Sequence, residues 1–284
     1  MADPDRDPNR ELLTTARAAA EAGAEVLRRW FRDADLTVEH KGAHDFVTAA
    51  DRESERAIVA EVARRHPGHR ILGEEGGDRG SGTGEHQWLI DPLDGTTNFL
   101  QGLPVFCVSV ACRRGDELVA GVVIEPLSGD VFAAARGAGA EWNGRPMRAS
   151  ARPGLDGAFL ATGYPFRARE TLDAYLEIFR AVFLRAKAIR RCGAAALDLA
   201  YTAAGVYDGF FEFRLSPWDV AAGALLVEEA GGRITDLDGG GRYLDSGNVI
   251  AGGAAVQDEL LATVAGFVGE ETLESLRPVE AGTA

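Results

Sequence analysis

The sequence predicts an α/β fold, and three features of its pattern support this. A long amphipathic segment opens the chain, strand-like segments in the first half are separated by Gly and Pro turns, and strands alternate with helices in the second half. The 284 residues are enough to bury a large core. No internal repeat or long linker divides the chain, so the sequence allows one layered unit or two closely packed domains.

The first half begins with helices. Apolar residues recur at helical spacing over 11–31, which predicts a long amphipathic helix. Thr48 is a candidate cap for a second helix, and Asp51 completes a capping box three residues later. Pro67 and Gly68 end that helix, and the glycine-rich segment 76–84 is predicted to be a flexible loop.

Strands follow in both halves. The segments 106–111, 118–125 and 130–135 predict an antiparallel meander, and 137–144 predicts a hairpin near the end of the first half. The second half predicts strands at 159–162, 189–192, 209–213, 233–235 and 249–251, and helices at 171–186, at 194–205, around Asp219 and from Val256.

Composition excludes several classes of protein. The formal net charge of −14 argues against nucleic-acid binding, which usually needs a basic surface, although local metal charge would still allow an anionic substrate. The first ten residues have no apolar core, so they are expected to be a flexible extension and not a signal peptide, and no apolar run is long enough for a membrane span. Cys107, Cys112 and Cys192 have no metal or redox spacing, which indicates reduced thiols in a cytoplasmic protein.

The most informative motif is the segment 88–99. Trp88 to Ile90 reads as a buried strand, and Asp91 and Asp94 follow it around a proline. Strand ends are where α/β folds place their sites, so both carboxylates are expected in one cleft, where they repel each other unless a cation lies between them. The backbone N–H groups of Gly95 and Thr96 would head the next helix and offer an anion site. Together these features suggest phosphate chemistry.

Three further acidic residues belong to the same pattern. Glu74 and Glu75 follow a short apolar strand and precede a glycine-rich loop. Pro217, Trp218 and Asp219 begin a helix that ends at two glycines, which places Asp219 in the first turn of that helix.

These motifs resemble those of the inositol monophosphatase family, within the lithium-sensitive, magnesium-dependent phosphatase superfamily. The similarity extends from about Glu11 to about Gly266, with the motifs in the order and at the spacing of the family: DFVTAAD (45–51), GEE (73–75), DPLDGTTNF (91–99) and PWDVAAG (217–223). The resemblance implies a layered α-β-α-β-α sandwich. It divides the chain at about residue 150 into a metal- and phosphate-binding half (11–150), with an antiparallel sheet, and a half that completes the site (151–284), with a mixed sheet.

The resemblance also implies two or three Mg²⁺ ions, and an oxygen-only set of ligands suits magnesium better than zinc. It assigns Glu74, Asp91 and the carbonyl of Leu93 to one ion, and Asp91, Asp94 and Asp219 to a second. Ions roughly 4 Å apart can clamp the attacking and leaving oxygens of an in-line displacement. N-capping and turn formation are the structural roles that these aspartates would otherwise have.

Catalysis still needs a base that activates the attacking water. Glu74 is the first candidate, and Thr96 is the second, provided that Asp51 accepts the proton of its hydroxyl. Helix capping is the alternative role for both Thr96 and Asp51, and the two roles can coexist. Glu75 is interpreted as an exposed loop acid.

The family match also assigns substrate contacts. Lys41 lies in a segment that resembles the mobile loop over the site, Gly95 and Thr96 face the phosphate, and Gly193, Ala194 and Ala195 form the small-residue turn against the substrate ring. Glu212 matches the residue that accepts hydrogen bonds from substrate hydroxyls. The chain departs from the family at Arg214, where many relatives have a smaller residue. Arg214 could pair with Glu212, reach a second substrate phosphate or lie at a subunit interface.

The expected function is that of a magnesium-dependent phosphomonoesterase acting on a small polyol phosphate, with myo-inositol monophosphate as the first candidate. Histidinol phosphate, fructose 1,6-bisphosphate and adenosine 3′,5′-bisphosphate are alternatives within the superfamily. A regulatory or RNA-machinery protein that kept the fold without catalysis is the alternative of a different class. No nucleic-acid or membrane partner is expected from the sequence, and the family implies a homodimer and lithium sensitivity.

Overall fold

The computed structural model describes residues 8–33, 38–42, 45–79, 84–166, 169–267 and 269. Its first half contains a long mixed sheet with two helices on one face. The helices of this half are α1 (Pro8–Trp30), α2 (Ala49–Arg65) and the short α3 (Thr96–Leu100). The strands are β1 (Val38–Gly42), β2 (Asp45–Thr48), β3 (Arg70–Gly73), β4 (Gly77–Arg79), β5 (His86–Asp94), β6 (Cys107–Arg114), β7 (Glu117–Glu125), β8 (Asp130–Ala135), β9 (Gly139–Trp142) and β10 (Arg145–Pro146).

The large sheet has the strand order β10-β9-β8-β7-β6-β5-β3-β4, and β1 pairs with β2 in a separate antiparallel ribbon. Strands β6, β7 and β8 form the expected antiparallel meander, continued by β9 and β10. The sheet is not wholly antiparallel, however, because β3 and β5 pair in parallel. The chain between these two strands passes through the edge strand β4, so it returns to β5 in the direction of β3.

The second half alternates between strands and helices. Its helices are α4 (Leu172–Phe183), preceded by a single 3₁₀ turn (Arg169–Thr171), α5 (Ala195–Ala203), α6 (Pro217–Glu229), α7 (Tyr243–Ser246) and α8 (Ala254–Ala265). The strands are β11 (Phe159–Thr162), β12 (Ala188–Arg190), β13 (Gly209–Glu212), β14 (Arg233–Thr235) and β15 (Val249–Gly252), in the order β12-β11-β13-β15-β14. The pairs β11–β12 and β11–β13 are parallel and the other two pairs are antiparallel, which gives the mixed sheet that the family implies.

Three apolar clusters show that the elements stack as α-β-α-β-α. The first lies between α1, α2 and the outer face of the large sheet, and includes Trp88 and Ile90. The second encloses α5 and α6 between the two sheets, and includes Leu89 from the other face of β5. Alternate residues of this strand therefore enter different cores, as strand geometry requires. The third cluster lies beneath α4 and α8 on the outer face of the small sheet.

The structure differs from the expected elements at several points. The strand predicted at 88–90 continues through Pro92 to Asp94. It can do so because a bulge between Asp91 and Asp94 shifts the register of its pairing with β6, so that Pro92, which has no N–H, does not have to donate a hydrogen bond to the neighbouring strand. The predicted loop at 76–84 includes strand β4, and residues 80–83 lie outside the described part. Helix α1 begins at Pro8, within the predicted extension, whose first seven residues are not described.

The division into halves at about residue 150 stays a prediction, although the large sheet ends at Pro146 and the small one begins at Phe159. No helix in the described ranges is long and apolar enough to cross a membrane.

Candidate active site

A cavity of about 720 Å³ opens between the large sheet and the second half of the chain. Most of the residues singled out from the sequence lie together in its wall, although they come from separate parts of the chain. These are Glu74, Asp91, Leu93, Asp94, Gly95, Thr96, Gly193, Ala195, Glu212 and Asp219.

The bulge of β5 presents the two aspartates of the central motif. Asp91 is almost fully buried, with 1% of its surface exposed, and its Oδ1 accepts a hydrogen bond from the Leu93 amide at 2.9 Å. Asp94 lies beyond the shift in register, so both carboxylates face the cavity although they are three residues apart. A bulge within β5, and not the end of the strand at Ile90, therefore brings the two carboxylates together.

Burial and like charges determine the electrostatics of this pair. Burial raises the pKa of Asp91 well above its usual value, and the carboxylates of Glu74, Asp94 and Asp219 raise it further. Burial followed by the charge of Asp219 raises the pKa of Asp94 to about 7, against the opposing effect of the Ala196 amide. Four acidic side chains thus act on one another in a poorly solvated space.

Glu74 is held in place by a residue that the sequence analysis missed. Glu55 of α2 is 2% exposed, and its Oε2 accepts hydrogen bonds from the amides of Glu75 at 2.8 Å and Gly76 at 3.2 Å. These bonds fix the turn that follows Glu74, whose own amide donates to Ile90 O at 3.2 Å. A glutamate on the buried face of α2, one turn after Asp51, was the available signal.

Asp219 occupies the predicted position in the first turn of α6. The amide of Ser216 donates to Asp219 Oδ2 at 2.8 Å, so one carboxylate oxygen closes the start of the helix. Asp219 is 4% exposed and lines the cavity. The capping role and a place in the site therefore coexist in one side chain.

Hydrogen bonds across the cavity join the two halves of the chain. The Ala196 amide, in the first turn of α5, donates to Asp94 Oδ2 at 2.7 Å across a sequence separation of 102 residues. The Asn98 side-chain amide donates to Val105 O at 2.7 Å and to Cys192 O at 2.9 Å. Asn98 belongs to the central motif, but no role was predicted for it from the sequence. Its side chain connects α3 to the turn before α5.

Thr96 lies at the start of α3 and has two acceptors. Its hydroxyl lies 3.0 Å from Leu93 O and 3.3 Å from Asp51 Oδ1, as a donor to either oxygen. Helix α3 has only five residues, so it adds little dipole to the N–H groups of Gly95 and Thr96. Any anion bound here would depend on direct hydrogen bonds.

Asp51 divides its two oxygens between structure and the site. Its Oδ2 accepts from the Thr48 amide at 2.9 Å and from the Thr48 hydroxyl, which completes the predicted capping box of α2. Its Oδ1 faces Thr96. Burial raises the pKa of Asp51 to about 6, against the opposing hydrogen bonds from Thr48.

The predicted substrate contacts are distributed unevenly. Gly193, with a φ of +85°, and Ala195 line the cavity, whereas Ala194 is 1% exposed and packs in the core between the sheets. Glu212, at the end of β13, also lines the cavity. Lys41 belongs to β1, but its side chain lies outside the described part of the structure.

Arg191, Arg214, Tyr164 and Phe166 are among the other residues that line the cavity, and only Arg214 among these four drew attention in the sequence. The guanidinium carbon of Arg191 lies 5.3 Å from the ring centroids of both Tyr164 and Phe166, a cation–π arrangement. Arg214 has a backbone φ of +64°. The other three carry no local motif, because their proximity depends on the packing of the second half.

The donor atoms in the cavity wall determine which metal ion it could hold. Within the described ranges, no three His, Cys, Asp or Glu side chains are grouped closely enough to hold a metal as they stand. The cavity nevertheless gathers oxygen donors alone, and Asp91 experiences the charges of Glu74, Asp94 and Asp219 together. A divalent cation would relieve that repulsion, and hard oxygen donors suit Mg²⁺. The residues present therefore fit magnesium.

The three cysteines are free thiols, and burial raises the pKa of each. They show no metal or disulfide partnership among themselves in the described structure, and Cys107 and Cys112 are buried in the cores.

The chain is similar to members of the inositol monophosphatase family over most of its length. The sequence profile of the inositol monophosphatase family matches residues 8–270. The Nus factor SuhB of Pseudomonas aeruginosa is 49% identical over 257 residues, which are 89% of this chain and 95% of that protein. An inositol-1-monophosphatase of Mesorhizobium japonicum is 43% identical over 253 residues, with coverage of 89% and 95%.

A solved structure gives the same result for the fold. The crystal structure of the extragenic suppressor protein suhB from Bartonella henselae superposes with a TM-score of 0.86 at 40% sequence identity. The match covers 89% of this chain and 98% of that one.

Proposed function

Because the chain belongs to the inositol monophosphatase family, we propose that it is a magnesium-dependent phosphomonoesterase of small polyol phosphates, with myo-inositol monophosphate as its substrate. One observation carries the proposal. A single cavity is lined by Glu74, Asp91, Asp94 and Asp219 together with Thr96, whose hydroxyl faces Asp51. Acidic ligands beside a hydroxyl with a carboxylate acceptor are what metal-assisted hydrolysis of a phosphate ester requires.

The metal ligands follow the family pattern. Glu74, Asp91 and the carbonyl of Leu93 would hold one Mg²⁺, and Asp91, Asp94 and Asp219 would hold a second, with a third ion allowed by the family. Bound Mg²⁺ supplies a Lewis acid that polarises the phosphoryl group and lowers the pKa of water. Hydrogen bonds at the start of α6, in the bulge of β5 and in the first turn of α5 position the carboxylates of Asp219, Asp91 and Asp94 around the cavity. These side chains would draw closer together when the ions bind, because no three of the described acidic side chains are close enough to hold a metal as they stand.

Side chains of the protein would accept the proton of the attacking water. Glu74 and Thr96 are the two candidates to orient the attacking water and accept its proton. A proton taken by the Thr96 hydroxyl requires that the hydroxyl pass its own proton to Asp51 Oδ1, its acceptor at 3.3 Å. Asp51 suits this task because burial raises its pKa to about 6, close to the neutral range in which a general base is efficient.

The substrate would lie between the two halves. The amides of Gly95 and Thr96 donate to the phosphate, and the segment Gly193–Ala195 contacts the ring, with Ala194 supporting it from the core. Glu212 accepts hydrogen bonds from ring hydroxyls on the leaving-group side. By its resemblance to the family motif, Lys41 would contribute a further contact to the substrate.

The test is a panel of phosphate monoesters. Purified protein with Mg²⁺ should release phosphate from myo-inositol 1-phosphate, and EDTA should stop the release. Histidinol phosphate, fructose 1,6-bisphosphate and adenosine 3′,5′-bisphosphate test the alternatives within the superfamily. Turnover that continues in excess EDTA would contradict the proposal. Light scattering tests the homodimer that the family implies.

A second candidate function comes from the relatives named Nus factor SuhB, one of which is 49% identical to this chain. It is a non-catalytic role in the RNA machinery. Such a role does not need the complete acidic set, and it is compatible with that set. A genetic complementation test distinguishes the two functions. In cells that depend on this protein, a catalytically dead Asp91→Asn variant that restores growth would favour the non-catalytic role.

A further inference from the structure

We propose that Gly163 is a specificity-determining residue: the space left by its missing side chain holds the Glu212 carboxylate where it can accept hydrogen bonds from substrate hydroxyls. The inference rests on the proposed function, because it concerns the polyol substrate of the same cavity. Gly163 is buried and directly follows β11, whereas Glu212 is the last residue of β13 and lines the cavity. No role was predicted for Gly163 from the sequence.

The two residues are neighbours across the small sheet. Strands β11 and β13 pair in parallel with Thr162 opposite Phe211, so the next positions along the two strands are Gly163 and Glu212. The Thr162 hydroxyl donates to Phe211 O at 2.8 Å, which joins the two strand ends. Phe211 packs in the outer cluster beneath α4 and α8. Because successive residues of a strand face opposite sides, Gly163 and Glu212 face the inner side, where the cavity opens.

The Glu212 carboxylate occupies the space in which a side chain at position 163 would begin. A Cβ on Gly163 would overlap the carboxyl carbon and both carboxylate oxygens of Glu212. These atoms are the outer end of a flexible side chain and not backbone, so a methyl group at position 163 would push the carboxylate aside and leave the sheet intact. The absence of a side chain at Gly163 therefore determines where this carboxylate lies.

Backbone conformation does not explain this glycine. Gly95 and Gly193 also lie in the cavity wall, and their φ values of +95° and +85° are in the left-handed region, which favours glycine. Gly163 is not among the glycines with a positive φ, so alanine could adopt its backbone conformation. Glycine in a strand is otherwise unfavourable and often marks a place where another group approaches closely. At position 163 that group is the Glu212 carboxylate.

Displacement of this carboxylate should affect the choice of substrate and not the hydrolysis of the ester. Hydrogen bonds to a carboxylate weaken steeply when distance or angle departs from the favoured geometry, so a displaced Glu212 would lose its contacts with ring hydroxyls. Asp91 and Asp94 belong to β5 of the large sheet and Asp219 belongs to α6. The proposed metal ligands therefore come from elements that a methyl group at position 163 does not alter.

The experiment compares an ester that has ring hydroxyls with one that lacks them. For each protein, the ratio of kcat/KM for myo-inositol 1-phosphate to that for 4-nitrophenyl phosphate is measured with Mg²⁺. Gly163→Ala should lower this ratio about tenfold or more, mainly through the inositol ester. Gly68→Ala is the matched control, because Gly68 lies in an exposed turn without a positive φ, and its Cβ would meet no described atom within 4 Å. It should leave the ratio unchanged.

A double-mutant cycle separates this role from a structural one. In a Glu212→Ala background there is no carboxylate to displace, so Gly163→Ala should change the ratio less than about twofold. The melting temperature of Gly163→Ala should stay close to that of the wild type. If Gly163→Ala fails to fold and the double variant folds, the steric relationship with Glu212 is supported. Unfolding of both proteins, or an equal loss of selectivity in both backgrounds, would overturn the proposal.

Calorimetry gives a measurement that needs no turnover. The ligands are the phosphonate analogue of myo-inositol 1-phosphate, which has no ester bond to break, and methylphosphonate, which has no ring hydroxyls. With Mg²⁺ present, Gly163→Ala should lower the ratio of the two affinities about tenfold. An unchanged ratio would overturn the role of Gly163. If the wild type hydrolyses neither ester, the proposed function fails, while the calorimetric ratio still decides the role of Gly163.

Discussion

Thr96 and Asp51 lie 45 residues apart in sequence, yet the Thr96 hydroxyl lies 3.3 Å from Asp51 Oδ1. The other oxygen of the same carboxylate closes the cap of α2. Helix α2 is thereby anchored to the residue that begins α3, and the capping box that starts α2 also orients the carboxylate that is proposed to accept a proton. The structural and catalytic interpretations of Asp51 are consequently compatible, each using a different oxygen atom.

Replacing Thr96 by alanine should lower kcat about a hundredfold or more, because a positioned proton-transfer group contributes at least that factor. The Mg²⁺ concentration for half-maximal activity should change much less, since Thr96 is not among the proposed ligands. Thr96→Ser should restore most of the rate. Thr97→Ala removes an exposed neighbouring hydroxyl and serves as the control. A full turnover number in Thr96→Ala would leave Thr96 with a capping role alone.

Asp91→Asn should nearly abolish turnover without unfolding the protein, because it removes charge from the ligand proposed to be shared by two ions. In EDTA its melting temperature should equal or exceed that of the wild type, since one of four mutually repelling carboxylates is gone. Added Mg²⁺ should raise the wild-type melting temperature more than that of the variant. Asp116→Asn, in an exposed turn, is the control. An active variant, or equal Mg²⁺ stabilisation of both proteins, would contradict the ligand assignment.

Lithium should inhibit the enzyme at millimolar-scale concentrations, as the family resemblance implies. A small monovalent ion would replace the Mg²⁺ that Asp91, Asp94 and Asp219 are proposed to hold, and would delay the release of phosphate. Initial rates over a grid of Li⁺ and Mg²⁺ concentrations measure the effect. Insensitivity at every Mg²⁺ concentration would refute this prediction and leave the phosphatase assignment standing.

Glu212→Gln should change substrate choice more than chemistry. The substitution keeps the shape and removes the charge, and charge-assisted hydrogen bonds are worth roughly 1.5–3 kcal/mol each. The kcat/KM for inositol 1-phosphate should fall about tenfold or more. An aryl phosphate, which has no ring hydroxyls to bind, should be hydrolysed almost as before. Equal losses on both substrates would assign Glu212 a structural role or a pairing with Arg214.

A histidine stack outside the wall of the cavity should make stability depend on pH. The rings of His66 and His69 stack at 4.6 Å, those of His69 and His86 stack at 4.7 Å, and Trp88 Nε1 donates to His69 Nδ1 at 3.0 Å. Burial, followed by the other two histidines, lowers the pKa of His69 from 6.5 to about 4. Burial also lowers the pKa of His66, with Glu11 opposing and Arg65 assisting.

The direction in which stability changes with pH follows from proton binding. Between pH 6.5 and about 4 the unfolded chain holds a proton on His69 that the folded chain lacks, so stability falls as the pH falls through this window. His69→Phe retains stacking without titration. Urea denaturation at a series of pH values should show a smaller acid-induced loss for the variant than for the wild type. The carboxylates of the cavity titrate in both proteins and cancel in the difference. Parallel profiles would exclude the stack as the cause.

Much of the fold could be predicted because its signals are local. The apolar periodicity of α1, the cap of α2, the start of α6 at Pro217 and the Gly and Pro turns of the meander each depend on a few neighbouring residues, and the structure confirms them. The extension of β5 through Pro92 was missed, because an Asp-Pro pair usually ends a strand and the bulge that tolerates it depends on pairing with β6. The parallel pairing of β3 with β5 likewise depends on a crossover that no local pattern records.

The candidate site could be predicted only in part. The acidic residues were identified because family motifs preserve their spacing, and the cavity brings them together; their role as ligands stays a prediction. Glu55 and Asn98 were missed because their importance lies in bonds to backbone groups of distant segments. The contacts of Arg191 with Tyr164 and Phe166 join two loops of the second half. These loops are neighbours because they follow β11 and β12, which pair in parallel in the small sheet.

The bond between Asp94 and Ala196 also bears on how the protein is made. Contacts between residues so far apart in sequence form late, since a long loop must close before the contact is gained. On the ribosome, the strand that carries Asp94 is complete well before α5 and α6 have been synthesised. The emerging chain therefore carries Glu74, Asp91 and Asp94 without Asp219 or the Ala196 amide, and the whole acidic set is assembled only when α5 and α6 pack against the large sheet. Loss of the last third of the chain would thus remove the site while leaving the sequence of its most recognisable motif intact.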